Sequence, residues 1–400
     1  MKRFIKTILL ATGTTFLAFL LMQFPDQAYE ASIRGLNIWW EIVFPSLLPF
    51  FITAELLLSF GVVKFLGVLF EPIMRPLFNV PGAGSFPWLM GMASGYPTGA
   101  KITTRLREEG QVNQFEGERL VAFTNASSPL FIFGAISVGF FHDVKLGVLL
   151  ASSHYAANLL VGLTMRFHPF LSRNKKQTPK KHSRPSIQRA FREMHRTRIK
   201  DSRPFGEVLG DAVLHSIQTL VMVGGFIILF SVLTKLFFMV RISPIIASIL
   251  KQIFDLVFLP VDLAMPFLTG IFEITLGIQM MSKEVIDPFL AKLVLVSFIL
   301  GFNGFSVQAQ VASIIAKTDI RFMPYFAGRL FHSFYAAFLT ILLYKPLYLN
   351  RQAFDMHDMP VTSPIAESNW GYLTELMGIV GPIITICALL VAVMILLTRK

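Results

Sequence analysis

Charge is what this 400-residue chain has least of. Asp, Glu, Lys and Arg make up 15% of it, where a soluble domain carries about a quarter. Cysteine is nearly absent. Cys387 stands alone, which excludes an intramolecular disulfide and any cysteine-based metal cluster. No H-E-x-x-H, G-x-S-x-G or phosphate-binding G-x-x-x-x-G-K-[ST] spacing occurs, so the common zinc-hydrolase, serine-hydrolase and nucleotide-driven chemistries lack their residues. The expectation is a protein that is not an enzyme and holds no metal or organic cofactor. Coupling to Na+ or H+ would leave no signature and stays open.

What the chain has instead is apolar length. Hydrophobic residues make up 54% and Phe occurs 40 times. Residues 7–25, 120–141, 212–234, 293–316 and 376–398 contain no charge at all, and each approaches or exceeds the roughly 20 residues that cross a bilayer as helix. Segments 42–63, 146–165 and 322–344 read the same way, interrupted only by Glu55 in the first and Arg329 in the last. The fold class is therefore an all-α polytopic membrane protein with about seven full transmembrane helices. The N-terminus has a basic start and an apolar run, but the run is long for a leader and lacks an A-x-A cut site, so it reads as a retained first helix.

The net charge of +12 is local. Residues 166–204 hold 13 Lys and Arg against Glu193 and Asp201, which is 13 − 2 = +11. Lying between apolar spans and poor in aromatics, this stretch reads as a cytoplasmic linker that fixes orientation beside anionic headgroups, not as a nucleic-acid arm. With 166–204 inside, segments 64–119 and 239–292 must each enter the membrane and leave by the same face. Their centres, "ASGYPTGAK" at 93–101 and "FLTGIFEITLGIQ" at 267–279, carry the glycines that such re-entrant hairpins need. Gly95 and Gly270, and likewise Asn125 and Asn303, recur at nearly equal spacing in the two halves. The first copy starts outside and the second inside, as in an inverted-repeat transporter. The division is 1–41, a helix and an external segment; 42–165, a first repeat with a hairpin near 84–107; 166–204, the linker; 205–346, a second repeat with a hairpin near 263–281; and 347–400, an external loop and last helix.

Broken helices expose N–H groups at helix starts, which bind carboxylates. Tyr96 and Thr98 can donate hydrogen bonds there, and Lys101 either gives a charge contact or snorkels to the cytoplasmic face. Asn125, Ser127 and Ser128 precede Pro129 in a second break. Asn303, Ser306, Gln308 and Gln310 crowd polar groups into an uncharged window, where lipid would penalise them, so they must face protein or a cavity. Glu273, followed by Thr275, is a carboxylate at a hairpin tip and functional by default. It suits a sugar hydroxyl, a coupling cation or a proton. Beside an anionic substrate it would need neutralising, for instance by Arg329.

The stretches "SGYPTGAK", "NASSPLFIFGAISVGFF", "GIFEITLG" and "GFNGFSVQAQ" resemble the YlbJ family of sporulation integral membrane proteins. That family carries a nucleoside-recognition gate domain and is related to concentrative nucleoside transporters. The resemblance runs the length of the chain. It implies a multi-pass protein of the cell membrane, and of the outer forespore membrane during sporulation, that moves dipicolinic acid and is required for the spore cortex. The facing hairpin tips would suit the two carboxylates of that ligand. A nucleoside transporter and a non-transporting assembly protein of the spore envelope are the alternatives. The partners implied are a small-molecule substrate and the lipid bilayer, with no nucleic acid; an oligomer stays open.

Overall fold

Glycine and proline decide where this greasy chain stops being helix. The computed structural model describes residues 2–168, 187–200 and 203–351; the expected last helix at 376–398, Cys387 and most of the final segment lie outside them. Every described regular element is helical. The first half runs α1 (Lys2–Gln23), α2 (Pro25–Ile38), α3 (Phe44–Ser59), α4 (Val62–Phe78), α5 (Ser85–Ser94), α6 (Thr98–Glu108), α7 (Gln114–Thr124), a π-helical stretch Leu130–Phe140, and α8 (Val144–Met165). The linker contains α9 (Ile187–Lys200). The second half runs α10 (Phe205–Met239), α11 (Ile242–Leu256), α12 (Ala264–Phe272), α13 (Ile274–Lys283), α14 (Phe289–Phe302), α15 (Gly304–Ile315) and α16 (Phe322–Leu347).

From α3 onward the two halves share one element order. A span ends at a left-handed residue, Gly61 (φ 76°) or Arg241 (φ 64°). A second helix follows, then a 3-10 turn (Gly82–Gly84, Val261–Leu263), a hairpin of two short helices, a helix interrupted midway, and a long closing helix. α8, α10, the α14–α15 run and α16 are long and apolar enough to cross a membrane, and two bent pairs raise the number to as many as six. In those pairs α1 turns into α2 by 102° and α3 into α4 by 81°.

Local chemistry accounts for the breaks. Asn113 and Glu116 form a reciprocal capping box at the start of α7, each side chain accepting from the other's backbone N–H at 2.9 Å, which satisfies donors a helix start leaves free. Pro129 then removes the N–H that α7 would need to continue through Asn125–Ser128. Close approach fixes the hairpins. A Cβ on Gly99 would sit 1.9 Å from the Thr124 carbonyl oxygen, and one on Gly277 would sit 2.1 Å from the Gly270 Cα. Only glycine lets these backbones touch, which is how helices pack where no water drives them together.

Candidate substrate site

The two hairpin tips and the two helix breaks meet in the middle of the bundle. Gly95 (φ 85°) ends α5 and lies against the backbone of Ser128, while Gly304 (φ 59°) lies against Ile274 and the carbonyls of Gly270 and Phe272. Each hairpin thus seats its tip on the break of its own half. The halves join at the breaks themselves. Asn303, left-handed at φ 70°, donates from Nδ2 to the Asn125 carbonyl at 3.2 Å, across 178 positions. His332 donates from Nε2 to the His154 carbonyl at 2.9 Å, also across 178 positions.

Arg329 ties the junction together. Its guanidinium, fully buried, donates to the Asn125 carbonyl at 2.7 Å, to the Ala122 carbonyl and to His332 Nδ1 at 3.0 Å. Among the described residues its Nε has no hydrogen-bond partner. Among the described residues no carboxylate lies within 4.0 Å of it, so the neutralising pair with Glu273 weighed from the sequence is not made. On the other side of the break α8 takes over. The Ser127 N–H donates to His154 Nε2 at 2.9 Å, and the Tyr155 hydroxyl donates to the Ser127 carbonyl at 3.0 Å. Because Nε2 of His154 accepts, its proton sits on Nδ1, which is buried with no acceptor among the described residues. These contacts discharge the backbone groups that the break frees, each of which would cost about 1–3 kcal/mol if buried unpaired.

The residues singled out from sequence divide into three groups. At the junction, the Tyr96 hydroxyl is buried without a hydrogen-bond partner among the described residues. The Thr98 hydroxyl, Ser127 Oγ, Asn125 Oδ1 and Asn303 Oδ1 are likewise buried without partners, while Asn125 Nδ2 donates to the Tyr325 hydroxyl at 3.2 Å. A second group makes hydrogen bonds to the backbone. Ser128 Oγ accepts from the Phe131 N–H at 3.3 Å, and Gln308 Nε2 donates to the Phe302 carbonyl at 3.0 Å. Lys101 Nζ lies 2.9 Å from a Glu55 carboxylate oxygen and 4.9 Å over the Phe51 ring, so its charge is paired within the protein. Ser306 and Gln310 are buried in α15. Thr275 lies apart, lining a cavity of about 520 Å³ with Arg34, Asn37 and Gln279.

Glu273 caps its own helix. Its carboxylate accepts from the Leu276 N–H at 2.7 Å, at the first turn of α13, where the helix end is positive. The two hairpin tips are therefore unequal. The start of α6, after Pro97, has no side-chain cap, whereas the start of α13 is capped by its own acid. Sequence reasoning missed the weight of Arg329, His154 and His332. The signal was present: the two histidines stand 178 positions apart, the same spacing as Asn125 and Asn303.

Several proteins resemble this chain. Residues 40–175 match the gate family, described as nucleoside recognition. The chain is 48% identical over 396 residues to the sporulation integral membrane protein YlbJ of Bacillus subtilis (strain 168), across 98% of this chain and 96% of that one. An uncharacterized protein of Alkalihalophilus pseudofirmus is 28% identical over 137 residues, 33% of this chain and 29% of that protein. A solved structure of CNTnw, a double variant in an outward-facing state, aligns with a TM-score of 0.36 and 12% identity over 83% of this chain and 87% of that one.

Proposed function

The chain belongs to the YlbJ family of sporulation integral membrane proteins, and from that premise we propose that it is a secondary transporter for a small aromatic dianion, dipicolinate. In this reading it works in the outer forespore membrane, supplies the maturing spore and its cortex, and makes or breaks no covalent bond. The observation that carries the anion is Arg329: a buried guanidinium at the crossing of both breaks, facing backbone carbonyls and a histidine rather than a carboxylate. A buried cation without an acid is costly on its own, and an anionic ligand supplies the missing charge. The uncapped start of α6, the hydroxyls of Tyr96, Thr98 and Ser127, without partners among the described residues, and Arg329 Nε are the donors that would meet its oxygens. The Tyr96 ring offers a face for stacking.

A nucleoside is the second reading, favoured by the gate description over 40–175 and by Glu273, which could accept from sugar hydroxyls. Equilibrium binding to the purified protein separates the two. Dipicolinate should bind, uridine should not compete, Arg329→Lys should keep part of the affinity, and Arg329→Gln should lose at least about tenfold, the effect of losing one charge-assisted hydrogen bond. Uridine binding that dipicolinate does not displace, unchanged in Arg329→Gln, would overturn the anion reading.

A further inference from the structure

The basic linker is not a passive tether. Within it α9 packs along α4: Ala190 is fully buried, a Cβ on Gly61 would meet Thr197 at 2.8 Å, and the Phe191 and Phe65 rings lie 4.9 Å apart. α4 turns 81° from α3, so if α3 crosses the bilayer, α4 and the helix on it run along its surface. The start of α10 lies at the same level, with Phe205 stacked on Phe60 at 6.1 Å.

The outer side of α9 has two characters. Ile187 and Phe191, one turn apart, are 62% and 53% exposed, although water should penalise both. At helical spacing Arg189, Arg192 and Arg196 form the opposite stripe, and Arg192 and Arg196 are exposed. Among the described residues, the ion pair of Arg196 is with Glu193 of its own helix, at 3.3 Å. Apolar side chains on one edge and arginines on the next are the pattern of a helix lying in a membrane interface. The net +11 of residues 166–204 selects an anionic surface, because a leaflet rich in anionic lipid attracts each such cation.

We propose that α9 is a docking helix for anionic phospholipid headgroups, Ile187 and Phe191 entering the acyl boundary and Arg192 and Arg196 holding phosphates. The site is separate from the hairpin junction and does not depend on what is transported. It also has a route inward. α4 carries Glu71, which accepts from the Gly82 N–H at the entry to the first hairpin, and Arg75, which donates to Glu116 of α7 at 2.6 Å. A lipid-seated α9 therefore braces the helix from which the first hairpin hangs.

The test titrates phosphatidylglycerol or phosphatidylcholine into the full chain in neutral detergent, reading lipid retention and the thermal midpoint. Phosphatidylglycerol should bind in preference and raise the midpoint. In Arg192→Gln/Arg196→Gln its affinity should fall about 30-fold, from about a fivefold loss per cation near the surface. Lys251→Gln, on α11, should change nothing. If the double variant does not fold, Phe191→Ser and the wild type at high salt serve instead. Weakened binding in Phe191→Ser, and loss of the wild-type preference at about 1 M salt, where the screening length is about 3 Å, would support the site. Equal retention of both lipids by the wild type, or undiminished phosphatidylglycerol binding in the double variant or in Phe191→Ser, would overturn it.

Discussion

Glu273 separates the two substrates because they ask opposite things of one carboxylate. A nucleoside carrier needs it as an acceptor, so Glu273→Gln should abolish binding. A dianion carrier works against it, since two like charges about 4 Å apart at an effective dielectric near 20 repel by roughly 4 kcal/mol. The account predicts that Glu273→Gln binds dipicolinate at least as tightly as the wild type, with some thermal stability lost because the α13 start loses the charge of its cap. Weaker dipicolinate binding in a folded Glu273→Gln protein would contradict it. At this scale the sequence was only partly legible. A lone polar residue in an apolar run advertises a function, which is how Glu273, Asn125 and Asn303 stood out. It does not reveal which partner takes it. Lys101 looked available until Glu55, 46 positions earlier, proved to hold it. Nor did the sequence show that the Gln308 amide closes the Phe302 carbonyl.

Elements were more legible than side chains. Both hairpins followed from charge placement and from glycines that no spanning helix would keep. The helix within the linker was hidden, because thirteen cations in a row of 39 residues dominate any composition count and mask the apolar edge of α9. The shared element order makes a claim about sidedness. In an inverted repeat the ends of equivalent hairpins emerge on opposite faces. In a Cys387→Ser background, Val285→Cys should react with an impermeant maleimide added outside intact cells, and Glu108→Cys should not. Reaction of both, or of neither while both react in lysed cells, would refute the inversion.

A second element-scale prediction concerns the contact between the end of the first hairpin and the loop before α16. Arg107 grips Asp319 with two hydrogen bonds of 2.7 and 2.8 Å, and Gln114 donates to the Asp319 carbonyl at 2.7 Å. The Arg107 hydrogen bonds hold the Asp319 carboxyl below its usual range. The folded value lies below the unfolded one, so this contribution is complete above about pH 4 and is lost as the pH falls through the lowered value. Both side chains are partly exposed, which limits the contribution to about 1 kcal/mol or less. Asp319→Asn should lower the thermal midpoint slightly at neutral pH and match the wild type in strong acid. Identical midpoints at every pH would show that the contact contributes nothing.

Across the whole molecule, the bilayer does what water does for a soluble fold. Outward faces are apolar, as Phe334 and Phe338 at 62% and 64% exposure show, and polar groups gather where broken helices need partners. That economy made the membrane class readable from composition alone. It also hid the centre, because Arg329 and His332 lie on α16 and His154 on α8, and they acquire meaning only when α7, α8 and α16 are brought together. The direct measurement is uptake of labelled dipicolinate and uridine by proteoliposomes of the purified protein. The account predicts saturable dipicolinate uptake, blocked by excess unlabelled dipicolinate and strongly reduced by Arg329→Gln, with no uridine uptake. Uptake of uridine but not dipicolinate, or of neither by protein that still binds dipicolinate, would contradict it.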